Sequence, residues 1–104
     1  MKVLLDENLP KPLKHVVQGH FVTTVQEQGL SGTRNGDLLA RVEGVFDVFV
    51  TADKNLRYQQ NLIGRALAIV ELPTNRLPLL RTIFPQIAAA VDASKPGGYI
   101  QLTF

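Results

Sequence analysis

The sequence predicts an α/β fold: a single compact three-layer α/β/α domain over residues 1–104, built on a mainly parallel central sheet of about five strands. Three observations predict it. Short apolar runs alternate with stretches of helical spacing, two of those runs stop abruptly at acidic residues, and the composition suits one core. With 104 residues and 45% hydrophobic content, two domains would each be too small to bury a core well. The 19% charged fraction argues against disorder, because enough apolar side chains are present to offset the ordering of the chain.

Lys2-Val3-Leu4-Leu5 reads as a strand buried on both faces, ended by Asp6-Glu7-Asn8. Leu9, Leu13, Val16 and Val17 then repeat at helical spacing, with Pro10 near the first position and Gly19 at the end. Phe21 to Val25 is β-branched and aromatic enough for a second strand, and Gly29, Ser31 and Gly32 mark the loop after it. Asn35 is a candidate cap for a helix from about Gly36 to Glu43, with Leu38, Leu39 and Val42 inward and Asp37 in the first turn. Asp47 to Thr51 reads as a third strand, which again ends in polar residues, Ala52-Asp53-Lys54-Asn55. A short helical piece over about Asn55 to Asn61 leads to a fourth strand, Ala66 to Val70, closed by Pro73. Leu77, Leu80, Phe84, Ile87 and Val91 predict a last helix kinked at Pro85. Pro96-Gly97-Gly98 turns the chain into a half-exposed edge strand, Tyr99 to Phe104.

In a parallel sheet, ligands gather beyond the carboxyl ends of the strands, near the point where strand order reverses. Asp6 and Asp53 both fall at such ends. Two carboxylates held close together repel one another and favour a cation between them. With no cysteine in the chain, that cation must be held by oxygen or imidazole ligands, which points to Mg²⁺ or Mn²⁺. Asp37 could supply a third ligand, and Glu7 or Glu43 the extra carboxylate of a second metal. Such an ion makes phosphodiester hydrolysis accessible. Arg34, Lys54 and Arg57 flank the acids and form a candidate cationic rim for phosphates. Thr51 and Asn8 are supporting polar residues, and Tyr58 is a weak candidate for base stacking.

Each of these residues also has a structural reading. Asp6-Glu7-Asn8 suits a turn and helix cap, and Asp37 suits a helix first turn. Glu27, Glu71 and Asp92 look like surface charges, and His15 and His20 like surface or packing residues. Eleven Lys/Arg against nine Asp/Glu give a net charge of +2, which permits nucleic-acid contact but is far from a polybasic binder. Met1 to Leu5 reaches a carboxylate too soon for a signal-peptide core or a membrane span, so a cytoplasmic location and no membrane partner are expected.

Val3-Leu4-Leu5-Asp6-Glu7-Asn8-Leu9-Pro10, Asn35-Gly36-Asp37-Leu38-Leu39 and Val48-Phe49-Val50-Thr51-Ala52-Asp53-Lys54-Asn55-Leu56 together resemble the short PIN-like proteins of the DUF5615 family. The resemblance covers roughly the first two thirds of the chain. It implies a metal-dependent nuclease that cuts RNA, many such proteins being the toxin half of a bacterial toxin–antitoxin pair. It also implies Asp6, Asp37 and Asp53 as the catalytic and metal-ligating acids. Larger PIN nucleases carry a further acid in a helix between the first and third strands. This chain has no counterpart, and Glu7 and Glu43 are the residues that would stand in.

The leading expectation is therefore an Mg²⁺- or Mn²⁺-dependent endoribonuclease, its partners single-stranded or structured RNA, an antitoxin protein and a second copy of the chain. Two other readings stand beside it. One is a receiver-like phosphoacceptor module, which also places acids after its first strand and an Asp after its third. The other is a catalytically silent PIN-like binding protein that pairs through its edge strand.

Overall fold

A computed structural model describes residues 1–54, 56 and 65–104. The apolar runs form strands where they were expected: β1 (Lys2–Leu5), β2 (Phe21–Thr24), β3 (Val48–Thr51), β4 (Ala68–Glu71) and β5 (Tyr99–Gln101). They make one sheet in the order β2-β1-β3-β4-β5, and every pairing is parallel. The chain thus winds from β1 outward to β2, then crosses back to β3 on the other side of β1. The order reverses between β1 and β3, the two strands that Asp6 and Asp53 follow.

Both faces of the central strands are covered, which is why these strands lack polar alternation. Val3, Leu5, Val48, Val50, Ala68 and Val70 pack with Ile87, Ala90 and Val91 of α3 (Phe84–Ala93). The alternate residues Leu4, Phe49 and Ile69 pack with Leu38, Leu39 and Val42 of α1 (Asn35–Val42). The period of two therefore places Asp6 and Thr51 on the α1 side of the sheet.

Two helices differ from expectation, both because of proline. After β1 the chain forms a 3-10 segment, Lys11–His15, instead of an α-helix. Its N–H bonds run three residues back, from Leu13 to Pro10 and from Val16 to Leu13. Pro10 and Pro12 have no N–H to extend an α-helical ladder. Leu9, Leu13 and Val17 are buried nonetheless, so the apolar spacing identified the packed residues but not the helix type. The last helix is broken, not merely kinked: α2 (Leu77–Leu80) passes through a 3-10 turn, Arg81–Ile83, before α3 begins. Pro85 sits in the first turn of α3, where its missing donor costs least.

The loop after β2 opens with one helical turn that the sequence reading missed. Thr24 and Glu27 cap each other reciprocally: the Thr24 N–H and hydroxyl donate to Glu27 Oε1, and the Glu27 N–H donates to Thr24 Oγ1. Asp47 ties β1 in place by accepting the Lys2 N–H at 2.7 Å. Glu71, expected at the surface, is 1% exposed. Its side-chain oxygens accept the Tyr99 hydroxyl at 2.6 Å and the Gln101 amide at 2.9 Å, which gives the buried group two donors and anchors the edge strand β5. Asp92 Oδ1 accepts from His20 Nε2 at 2.6 Å, joining α3 to the start of β2. The short helix expected over about Asn55 to Asn61 lies, apart from the buried Leu56, outside the described residues. Among the described residues no helix is long and apolar enough to cross a membrane.

Candidate functional site

Beyond the carboxyl ends of β1, β3 and β4 lies a polar cavity of about 460 Å³. Asp6, Glu7 and Asn8 reach it from β1, Ala52, Asp53 and Lys54 from β3, and Pro73, Thr74 and Asn75 from β4. Thr33 and Asn35, at the entry to α1, close the remaining side. Strands that end at one edge bring these residues together although they are far apart in sequence.

Asp6 and Asp53 are aligned through one buried hydroxyl. The Asp6 N–H still joins the ladder, donating to the Val50 carbonyl at 2.9 Å, so its side chain stands next to that of Thr51. Thr51, 0% exposed, donates to Asp6 Oδ2 at 2.7 Å and accepts the Asp53 N–H at 3.0 Å. The second Asp6 oxygen accepts the Glu7 N–H at 2.8 Å. Asp53 Oδ2 accepts the Asn35 side-chain amide, also at 2.8 Å. These described donors to the two carboxylates are all neutral.

Burial pushes the Asp6 carboxyl above its ordinary range, and the neighbouring charges of Glu7 and Asp53 add to that; the bonds from Thr51 and the Glu7 N–H oppose it without cancelling it. A carboxyl raised in the folded state binds a proton more readily there than in the unfolded chain. Its charge is therefore a cost at neutral pH, and folding gains stability as pH falls through the folded pKa toward 3.8. In the absence of divalent cations, Asp6→Asn should raise the melting temperature by a few degrees at pH 7, and the difference from wild type should close as pH falls. Paired thermal melts across that range check the sign.

The structure does not bring every expected acid to this place. Asp37 is exposed in the first turn of α1 and forms no part of the cavity wall. The reason is helical phase. Asn35, Leu38, Leu39 and Val42 are spaced three, four and seven apart and share the inward face, while Asp37 stands on the opposite side. Asn35, expected only as a cap, is the α1 residue that reaches the acids; Arg34 occupies the cap position and is exposed. Glu43 is at the far end of α1, where it accepts the Ala66 N–H at 2.6 Å just before β4 begins. An eight-residue helix separates it from the cavity by about 12 Å.

Glu7 lines the cavity, and its carboxylate is turned to the Gly32 N–H at 3.2 Å. Lys54 lines the cavity. Arg57 and Tyr58 lie outside the described residues. Among the described residues no group of three or more His, Cys, Asp or Glu converges as a metal cluster would.

The chemistry on offer is that of hard oxygen donors: two carboxylates, with the side chains of Asn8, Thr74 and Asn75 around them and one lysine at the wall. Such a set suits a cation that keeps most of its waters. Comparison with protein-family models, curated proteins and solved structures finds no match to this chain.

Proposed function

We propose that this chain is a PIN-like, Mg²⁺- or Mn²⁺-dependent endoribonuclease working at Asp6 and Asp53. The observation that carries the reading is the hydrogen-bonded series Asp6–Thr51–Asp53–Asn35, which fixes two carboxylates at the switch point of a parallel sheet. Mg²⁺ commonly takes only one or two protein carboxylates and fills its octahedron with water and phosphate oxygens. The donors present fit that ion, and the cost of burying the Asp6 charge is one a cation would relieve.

Asp6 and Asp53 would hold the metal, which when bound lowers the pKa of its water and polarises a phosphoryl oxygen. The protein's own residues do the positioning. Thr51 and Asn35 keep the two carboxylates in a fixed geometry. Asn8, Thr74 and Asn75 offer neutral donors for phosphate oxygens, and Lys54 offers a charge.

Thr51→Val removes the shared hydroxyl while keeping the side-chain volume. It should weaken Mn²⁺ binding about 10- to 100-fold, measured by calorimetric titration, with the fold retained by circular dichroism. Undiminished affinity would show that Thr51 does not organise the site.

The receiver-like reading needs a lysine near the phosphoacceptor. Receivers place it after the fifth strand, whereas Lys95 precedes β5 and lines a small cavity with Met1 and Asp47 at the opposite edge of the sheet. Incubation with a small phosphodonor separates the two readings: a nuclease gains no acid-labile phosphate on Asp53.

A further inference from the structure

β5 is the last strand of the sheet, and among the described residues no strand lies beyond it. We propose that a second copy of the chain docks on this edge, the two β5 strands running antiparallel about a two-fold axis at Gln101. The proposal is independent of the nuclease reading.

The backbone sets which groups face outward. The Gly98 carbonyl accepts the Ile69 N–H, and the Leu102 N–H donates to the Glu71 carbonyl, so the even-numbered residues of this segment turn their backbone groups to β4. Gln101 therefore turns its N–H and C=O away from the sheet. Edge strands that avoid pairing carry a lysine, a proline or a bulge. Tyr99-Ile100-Gln101-Leu102-Thr103-Phe104 has neither a charge nor a proline. The strand is also held in place beforehand, because the Tyr99 hydroxyl and the Gln101 amide are bonded to buried Glu71. Little ordering is left for the docking step, which favours association.

A second copy fits better than a foreign strand because the segment is complementary to itself. An axis at Gln101 lets its N–H and C=O bond the same two groups of the other copy. It sets Ile100 opposite Leu102, Tyr99 opposite Thr103 and Phe104 opposite Gly98. The first is an apolar pair and the second joins an aromatic to a β-branched residue, both favourable across strands. The third covers Phe104, at 66% exposed the most exposed of the large apolar side chains described. A glycine opposite leaves room for its ring, an arrangement that protects edge glycines in sheets. Ile100 and Leu102 already pack against the α3-side cluster, so the pairing continues one apolar face across both copies. Such an axis uses both β5 edges and closes at a dimer.

The test is sedimentation equilibrium of the full chain over a wide range of concentration, which should show a reversible monomer–dimer equilibrium. Phe104→Lys removes a ring from each half of the interface and puts a charge on the edge. It should weaken the dimer about tenfold while leaving the monomer folded by circular dichroism, since the side chain is exposed. The chain has no cysteine, so a single introduced one reports the register. Gln101→Cys sets the two Cα atoms about 5.5 Å apart across a hydrogen-bonded pair, within disulfide reach, and should give a covalent dimer on mild oxidation. Phe104→Cys should not, because the two copies of that position lie about 20 Å apart along the strands.

A monomer at every concentration, a dimer indifferent to Phe104→Lys, or crosslinking through Phe104→Cys instead of Gln101→Cys would overturn the pairing. So would growth past two copies, the result of a head-to-tail contact between β5 and β2. Phe104→Lys leaves the Glu71 bonds untouched, so it decides the matter even where Gln101→Cys loosens β5.

Discussion

Asp53→Asn should lower Mn²⁺-dependent RNA cleavage on the order of 10²–10³-fold, the loss that follows when one preorganised electrostatic group is removed from a reacting centre. Asn is the informative replacement because it keeps the shape and most of the hydrogen bonding. The Asp53 backbone N–H still reaches Thr51, and an amide oxygen at residue 53 can still accept from Asn35. The charge is lost, and one acceptor oxygen becomes an amide donor. Asp6→Asn should abolish cleavage to a similar degree while stabilising the metal-free protein, which separates loss of chemistry from loss of fold. In both variants the rise in melting temperature that Mn²⁺ gives the wild type should shrink, since a ligand stabilises only as far as it binds. Cleavage that survives either substitution would remove that residue from the site.

The second large effect is on stability. Phe49→Ala should cost about 3–5 kcal/mol, the range for deleting an aromatic side chain from a packed core. Phe49 is 0% exposed in the middle strand and packs in the cluster that also holds Leu38, Leu39 and Val42 of α1. A small domain has a total stability of about 5–15 kcal/mol, so the variant loses a large fraction of it. The consequence reaches the site, because Thr51 lies two residues along the same strand face and α1 carries Asn35. Urea denaturation should show a midpoint far below wild type with a similar slope. Residual Mn²⁺ affinity, measured where the variant is still folded, should fall as well. A loss under 1 kcal/mol would mean that the α1 side of the sheet packs loosely.

The strands were legible because buried parallel strands leave a dense, local signal: Val3 to Leu5, Val48 to Val50 and Ala68 to Val70 are apolar without interruption, and each run stops at polar residues. The inward face of α1 was legible from Leu38, Leu39 and Val42 for the same reason. The helix type at Lys11–His15 and the break before Phe84 were not, because apolar spacing survives when proline removes the donors that an α-helix needs. Glu71 was misread as a surface charge since its partners, Tyr99 and Gln101, are some thirty residues away and meet it only across the β4–β5 pairing.

The site divides along the same line. That Asp6 and Asp53 would meet followed from the strand–acid pattern and the geometry of parallel sheets. The choice of Asn35 over Asp37 was latent in the sequence, since Asn35 continues the inward spacing of Leu38, Leu39 and Val42, but the charge of Asp37 drew the assignment. By itself, then, the sequence determined the parallel α/β plan and the edge at which its acids gather, because those depend on local hydrophobic periodicity. Only the tertiary structure decided which polar side chains enter the cavity, that Thr51 links the Asp6 carboxylate to the Asp53 backbone N–H and that Glu43 lies beyond reach, because these depend on helix phase and strand register across distant parts of the chain.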